Sequence, residues 1–372
     1  MTQPADLSSV VVGGGLVLGF VFGAVGNKSN FCTMGAISDV VNMGHWGRVR
    51  MWLLAIAVAV LGTTALGTSG LVDLSRSVTQ RPNIAWLSLL VGGLLFGVGM
   101  TMAGGCVNKN LIRAGGGSLR SAVVLVFMGL ASYMTMRGLF AQWRADWLDP
   151  VSINLADAGW SDQSLGTALA QATGAAPATA LWAAAGTITL ALLAFTFADR
   201  RFRGNASQII GGVVIGAIIV VGWYVSGHLG FGEHPQTMED VFFATNTRAL
   251  ESMSFVGPVA WGLELLLLWT DASLHLSFGI ASVLGVIAGS AAYALASGKF
   301  RWEGFASLSD LRHQLVGAVL MGFGGITALG CTIGQGLSGI STLAIGSFIA
   351  VAGIVLGSVG WLKYTLWREE NS

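Results

Sequence analysis

Charge is what this sequence has least of. Only 10% of its 372 residues are Asp, Glu, Lys or Arg, against about a quarter in an ordinary soluble domain. Apolar residues make up 53%. A soluble protein so poor in charge would aggregate, so the shortage itself argues for a chain that lives in a bilayer. The net charge of +1 leaves no basic surplus for binding nucleic acid. Cysteine is scarce too. Three residues, far apart and odd in number, make no disulfide framework, and they lack the CxxC spacing of a zinc site. His45, His228, His234, His275 and His313 form no ligand-spaced cluster, so neither metal nor cofactor is expected. The phosphate-cradling GxxxxGK[ST] pattern is missing, which excludes an ATP-driven motor within this sequence. The N-terminal MTQPADLSSVVVGGG has no basic region ahead of its apolar run, so no cleaved signal peptide is expected.

What is present is a series of apolar runs. A spanning helix needs about 20 mostly apolar residues. Such runs fall near 8–26, 51–72, 86–104, 119–141, 178–198, 208–228, 274–296, 314–330 and 341–363. A further piece, 255–269, is short and contains Pro258 and Glu264. The expected fold is therefore all-α, a polytopic membrane protein of about nine spans. Basic residues gather in cytoplasmic loops. Arg48 and Arg50, the 199–203 run and the group Lys299, Arg301 and Arg312 are the basic clusters, whereas 145–177 and 230–255 are acidic. Nine spans, with 255–269 not crossing, put all three basic clusters on one side. The N-terminus is then expected outside and the C-terminus in the cytoplasm. The chain divides into a first half, 1–141, a connector, 142–204, and an inverted second half, 205–372. Most tryptophans fall near span ends, as an interfacial belt requires.

The halves echo each other. The segment LVGGLLFGVGMTMAGGC, ending at Cys106, aligns without gaps with LVGAVLMGFGGITALGC, ending at Cys331, and nine of seventeen positions are identical. Repeated membrane segments broken at glycine point to a transport site near the bilayer midplane. Inversion would bring the Cys106 break in from the cytoplasmic side and the Cys331 break from outside. Cys32, in SNFCTMGAISD, stands at a third break. It has no cysteine counterpart, and the matching region of the second half is expected around His228 and Gly230.

Broken backbone cannot face lipid, because its N–H and C=O groups would be unsatisfied. A glycine-rich turn leading into a helix offers free N–H groups and a positive dipole end, which suit an anion. A thiol adds a soft, polarizable donor. Together they suit an anion with exposed sulfur. The candidate pathway residues are Cys32, Cys106, Cys331, Gly105, Gly330, Thr332 and Lys109, with Lys28 and Arg113 adding positive potential. The bland alternatives are that each cysteine is a small buried hydrophobe and that the cations are positive-inside charges. No residue is assigned a catalytic role. Lys109 stands near Cys106 and could activate it as a nucleophile, but no acid–base partner is evident.

At SNFCTMGAISD, AGGCVNKN and ALGCTIGQGLSG the sequence resembles the YeeE/YedE family of sulfur-compound transporters, over nearly the whole chain. The resemblance implies an inner-membrane protein of nine spans and hourglass shape that imports a small sulfur anion, most characteristically thiosulfate, along three pathway cysteines through S–H···S contacts. Carried over, Cys106 and Cys331 flank the narrow centre and Cys32 lies near the cytoplasmic exit. Any TusA-like sulfur-carrier partner is expected to be a separate protein. The family's link to selenium keeps another sulfur or selenium species open as substrate, and a membrane thiol sulfurtransferase is the enzymatic alternative.

Overall fold

The structure is a computed structural model that describes residues 4–233, 238–305 and 307–371. It bears out the all-α expectation. Among the described residues fifteen α-helices follow one another: α1 Pro4–Ser29, α2 Thr33–Met43, α3 Gly47–Thr68, α4 Trp86–Met102, α5 Val107–Gly115, α6 Leu119–Arg137, α7 Leu139–Trp143, α8 Leu165–Thr173, α9 Pro177–Phe197, α10 Arg200–Arg203, α11 Ala206–Tyr224, α12 Val256–Leu267, α13 Phe278–Ala296, α14 Leu308–Thr327 and α15 Ile345–Glu370. Two-stranded pairings, Asn83–Ile84 with Ile153–Asn154 and Phe231–Glu233 with Asp240–Phe242, tie loops together.

Among the described residues, eight helical stretches are long and apolar enough to cross a membrane. The expected span near 314–330 is α14, 20 residues long but with Asp310, Arg312 and His313 in its first turns. Its charged end pairs with α6 through Arg120 and Asp310, 3.3 Å apart. The piece expected at 255–269 is α12, 12 residues, about 18 Å at 1.5 Å per residue and too short for a core of about 30 Å. Its buried Glu264 is held by the Tyr133 hydroxyl at 3.0 Å and by Arg137 at 3.3 Å, both on α6.

Contacts between the halves come in matched pairs. Gly15, Gly19 and Gly23 of α1 press on Phe278, Ser282 and Val286 of α13, while Gly212 and Gly216 of α11 press on Met51 and Ala55 of α3. On α4, Gly92 meets Gly324 of α14 and Gly99 meets Gly317, so these two helices run antiparallel. Gly97 meets Ile354 and Ser358 of α15, and Gly322 meets Met128 and Ser132 of α6. Hydrocarbon gives helices no hydrophobic drive to associate, so close backbone approach at small residues carries the packing.

The three basic clusters share one face. Arg50 pairs with Asp199, Gly47 packs on Gln208, and the 299–303 loop hydrogen-bonds to 116–119. The other face carries the loops 69–85, 138–176, 230–233 and 238–254, joined by the Arg76–Asp240 ion pair at 3.2 Å and by bridges from Ser77 to Leu250 and Ser164 to Ala344.

A buried thiol cluster at converging helix N-termini

Cys32 and Cys106 begin helices, and Cys331 stands just ahead of a helical turn. Cys32 is the N-cap of α2, and its Sγ accepts the Gly35 N–H at 3.2 Å. Cys106 is the N-cap of α5. Cys331 Sγ accepts the Gly334 N–H at 3.5 Å, where the π-helical turn Gly334–Gly339 starts. An N-cap side chain satisfies backbone donors that the helix leaves free, and the positive end of the helix dipole then falls on the sulfur.

The structure brings all three together in the core. Their exposures are 6%, 0% and 1%. The Cys32 and Cys106 thiols interact directly with each other. Cys106 also meets the backbone N–H groups of Lys109 and Met34 and the side chain of Thr332. Cys331 meets the N–H groups of Ile333 and Phe255 and lies within electrostatic reach of Cys106. The short helices α2 and α12 thus point their N-termini at Cys106 and Cys331 in turn. His228, expected to match Cys32, contacts the Leu71 carbonyl and the Tyr224 ring, and Gly230 packs on Val11. His234 lies outside the described residues.

The breaks are held by their neighbours. Asn110 Nδ2 donates to the carbonyls of Gly105 at 2.9 Å and Cys106 at 3.2 Å. Arg113 donates to Gly104 at 2.8 Å. In the second half, Gln335 Nε2 reaches Ala328 O at 2.8 Å. Gly104 has φ +69°, and its counterpart Leu329 has φ +55°, a region that side chains disfavour. Gly105 and Gly330 are both buried, and Gly330 packs on Gln335. Lys109, half-buried, donates from Nζ to Asn30 Oδ1 at 2.5 Å and acts electrostatically on both Cys32 and Cys106. Lys28 lies in the last turn of α1.

Two cavities of about 310 and 270 Å³ open beside the cluster on the face away from the basic clusters. They share Val78, Thr79, Arg144 and Leu329, and Gly330 and Gly334, the neighbours of Cys331, line the second. Arg144, half-buried, pairs with Asp149 at 3.2 Å. Farther in, Phe22 stacks edge-on against Phe255 at 5.3 Å and Phe31 at 6.3 Å. All three rings are fully buried.

Sequence reasoning missed Asn108, Phe255 and Arg144. The Asn108 Oδ1 accepts the Cys106 thiol at 2.6 Å, while its Nδ2 is buried without a hydrogen-bond partner and the Thr332 hydroxyl is buried with none beyond the Cys106 sulfur. Asn108 carried a signal, two residues after a helix-capping cysteine. Arg144 carried none, because its loop folds back over the cluster from far along the chain.

A family model described as sulphur transport matches residues 28–360. The thiosulfate transporter TsuA of Spirochaeta thermophila is 24% identical over 365 residues, 94% of this chain and 98% of that protein. The TsuA of Escherichia coli is 26% identical over 361 residues, 94% of each. The match spans all three cysteine breaks and the helices that hold them, and the chain belongs to the sulphur-transport family.

Proposed function

We propose that the chain conducts thiosulfate into the cytoplasm, unchanged, past Cys331, Cys106 and Cys32. The ion collects in the cavities beside Arg144, where a cation raises the local anion concentration. It then meets Cys331, whose S–H donates to the terminal sulfur. Cys106 and Cys32 take the ion over in turn, each new S–H···S contact forming as the last one lengthens. Helix N-termini behind every thiol offset the loss of water around a charged ion. No covalent bond is made or broken, so the thiols act as a relay.

The observation that carries this reading is the convergence of three thiols, each at or just before a helix start, in one buried core, in a chain whose relatives are named thiosulfate transporters. Antiparallel packing of α4 on α14 supports two inverted halves, one break reached from each side. Positive loops favour the cytoplasmic side, which puts the N-terminus outside and the C-terminus inside the bacterial inner membrane. The basic face, with Lys109, Arg113 and Arg48 near the exit, is where a separate TusA-like carrier would receive the ion.

The test is growth. A sulfur-auxotrophic host lacking its own thiosulfate uptake should grow on thiosulfate with the wild-type chain and not with Cys331→Ala or Cys106→Ala. Growth of both variants at the wild-type rate rejects the relay.

A further inference from the structure

We infer that Asn108 and Thr332 are specificity-determining residues: they donate hydrogen bonds to the oxygen-bearing end of the ion while the thiols hold its sulfur. This rests on the reading above and deepens it. Asn108 is 0% exposed and Thr332 1%. Buried polar groups are nearly always paired, yet Asn108 Nδ2 has no hydrogen-bond partner and Thr332 Oγ1 has none beyond its contact with the Cys106 sulfur. Both groups adjoin one sulfur. Asn108 Oδ1 accepts the Cys106 S–H at 2.6 Å, and Thr332 faces the same thiol. The two come from opposite segments of the chain, each just past a cysteine of the cluster, and both side chains reach the same Cys106 sulfur.

The donor chemistry divides in two. Thiols are soft and suit sulfur, whereas an amide N–H and a hydroxyl are stronger donors that suit oxygen. Sulfate offers oxygens but no exposed sulfur, and hydrosulfide offers sulfur but no oxygen. An ion with a terminal sulfur on a sulfonate-like head engages both sets. Leaving a buried donor unpaired when the wrong ion binds is how such a site discriminates.

The experiment is uptake of radiolabelled thiosulfate by the full chain in proteoliposomes, with hydrosulfide as competitor. Thr332→Val and Asn108→Leu should each raise the KM for thiosulfate about tenfold, as expected for a lost hydrogen bond to a charged group. The hydrosulfide inhibition constant should stay unchanged, and Thr332→Ser, which keeps the hydroxyl, should behave as wild type. Equal weakening of thiosulfate and hydrosulfide would mark a packing role and overturn the inference, as would an unchanged KM in Thr332→Val. Failure of hydrosulfide to compete with wild-type uptake also counts against it. Should Asn108→Leu not give a monodisperse protein, the Thr332 pair decides. A wild-type chain that carries no thiosulfate removes the parent reading and this inference with it. Wild-type uptake with a thiosulfate KM unmoved by either change removes this inference alone.

Discussion

At the scale of single residues, Leu329 stands out in the cavity lining. Its φ of +55° is one that a side chain adopts at a cost of about 1–2 kcal/mol. The equivalent position is Gly104, where the same turn is free of that cost. Leu329 is 54% exposed and lines both cavities. Leu329→Gly should therefore raise thermal stability in detergent by about 1 kcal/mol, and Leu329→Val should lower it by a similar amount. Glu251 makes a second case. It lines the cavity near Gly330, and burial pushes its carboxyl above the ordinary glutamate range, against the Thr247 N–H and hydroxyl that favour the charged form. As pH falls through that raised value the carboxyl becomes neutral, and its repulsion of an incoming anion disappears. Uptake should rise on mild acidification, and Glu251→Gln should flatten that rise in an initial-rate measurement across pH.

At the scale of elements, glycine decides where helices touch. A Cβ on Gly19 would run into the Ser282 backbone, and one on Gly289 into the Phe20 carbonyl, whereas at Gly13 and Gly360 it would meet nothing within 4 Å. Gly289→Ala should cost about 1–3 kcal/mol by overpacking, and Gly360→Ala should be neutral or stabilising by up to about 1 kcal/mol. Thermal unfolding of the two variants in the same detergent separates them. Much of this layer was legible in the sequence. Apolar length marked the spans, and the α4/α14 echo fixed the equivalence of the Cys106 and Cys331 breaks, because identical glycines occupy the same packing positions. The role of α12 was not legible, because it carries no cysteine to mark it. The short helices matter because their starts supply the Met34 and Phe255 N–H groups that meet Cys106 and Cys331. No local pattern announces those contacts, which come from chain segments far apart.

At the scale of the molecule, the halves meet in a core where thiols, helix N-termini and unpaired donors are concentrated and where ordinary lipid-facing packing would place only apolar atoms. The two cavities reach the neighbours of Cys331 from one face, and the basic residues Lys109, Arg113 and Arg48 lie toward the other. Between them stand the three phenyl rings of Phe22, Phe31 and Phe255. An ion crossing this region leaves water behind, so each step must replace hydration with a donor that is already aimed. In the proposed relay the thiols would meet that need for a sulfur-bearing ion. Serine caps a helix as well as cysteine does in shape but offers a hard hydroxyl in place of a soft S–H. The most direct measurement is thus the initial rate of thiosulfate uptake into proteoliposomes by Cys106→Ser and Cys331→Ser, with unfolding temperatures taken in parallel. The account expects both variants to unfold near the wild-type temperature and to lose at least tenfold in rate. Serine variants that carry thiosulfate at the wild-type rate would contradict it.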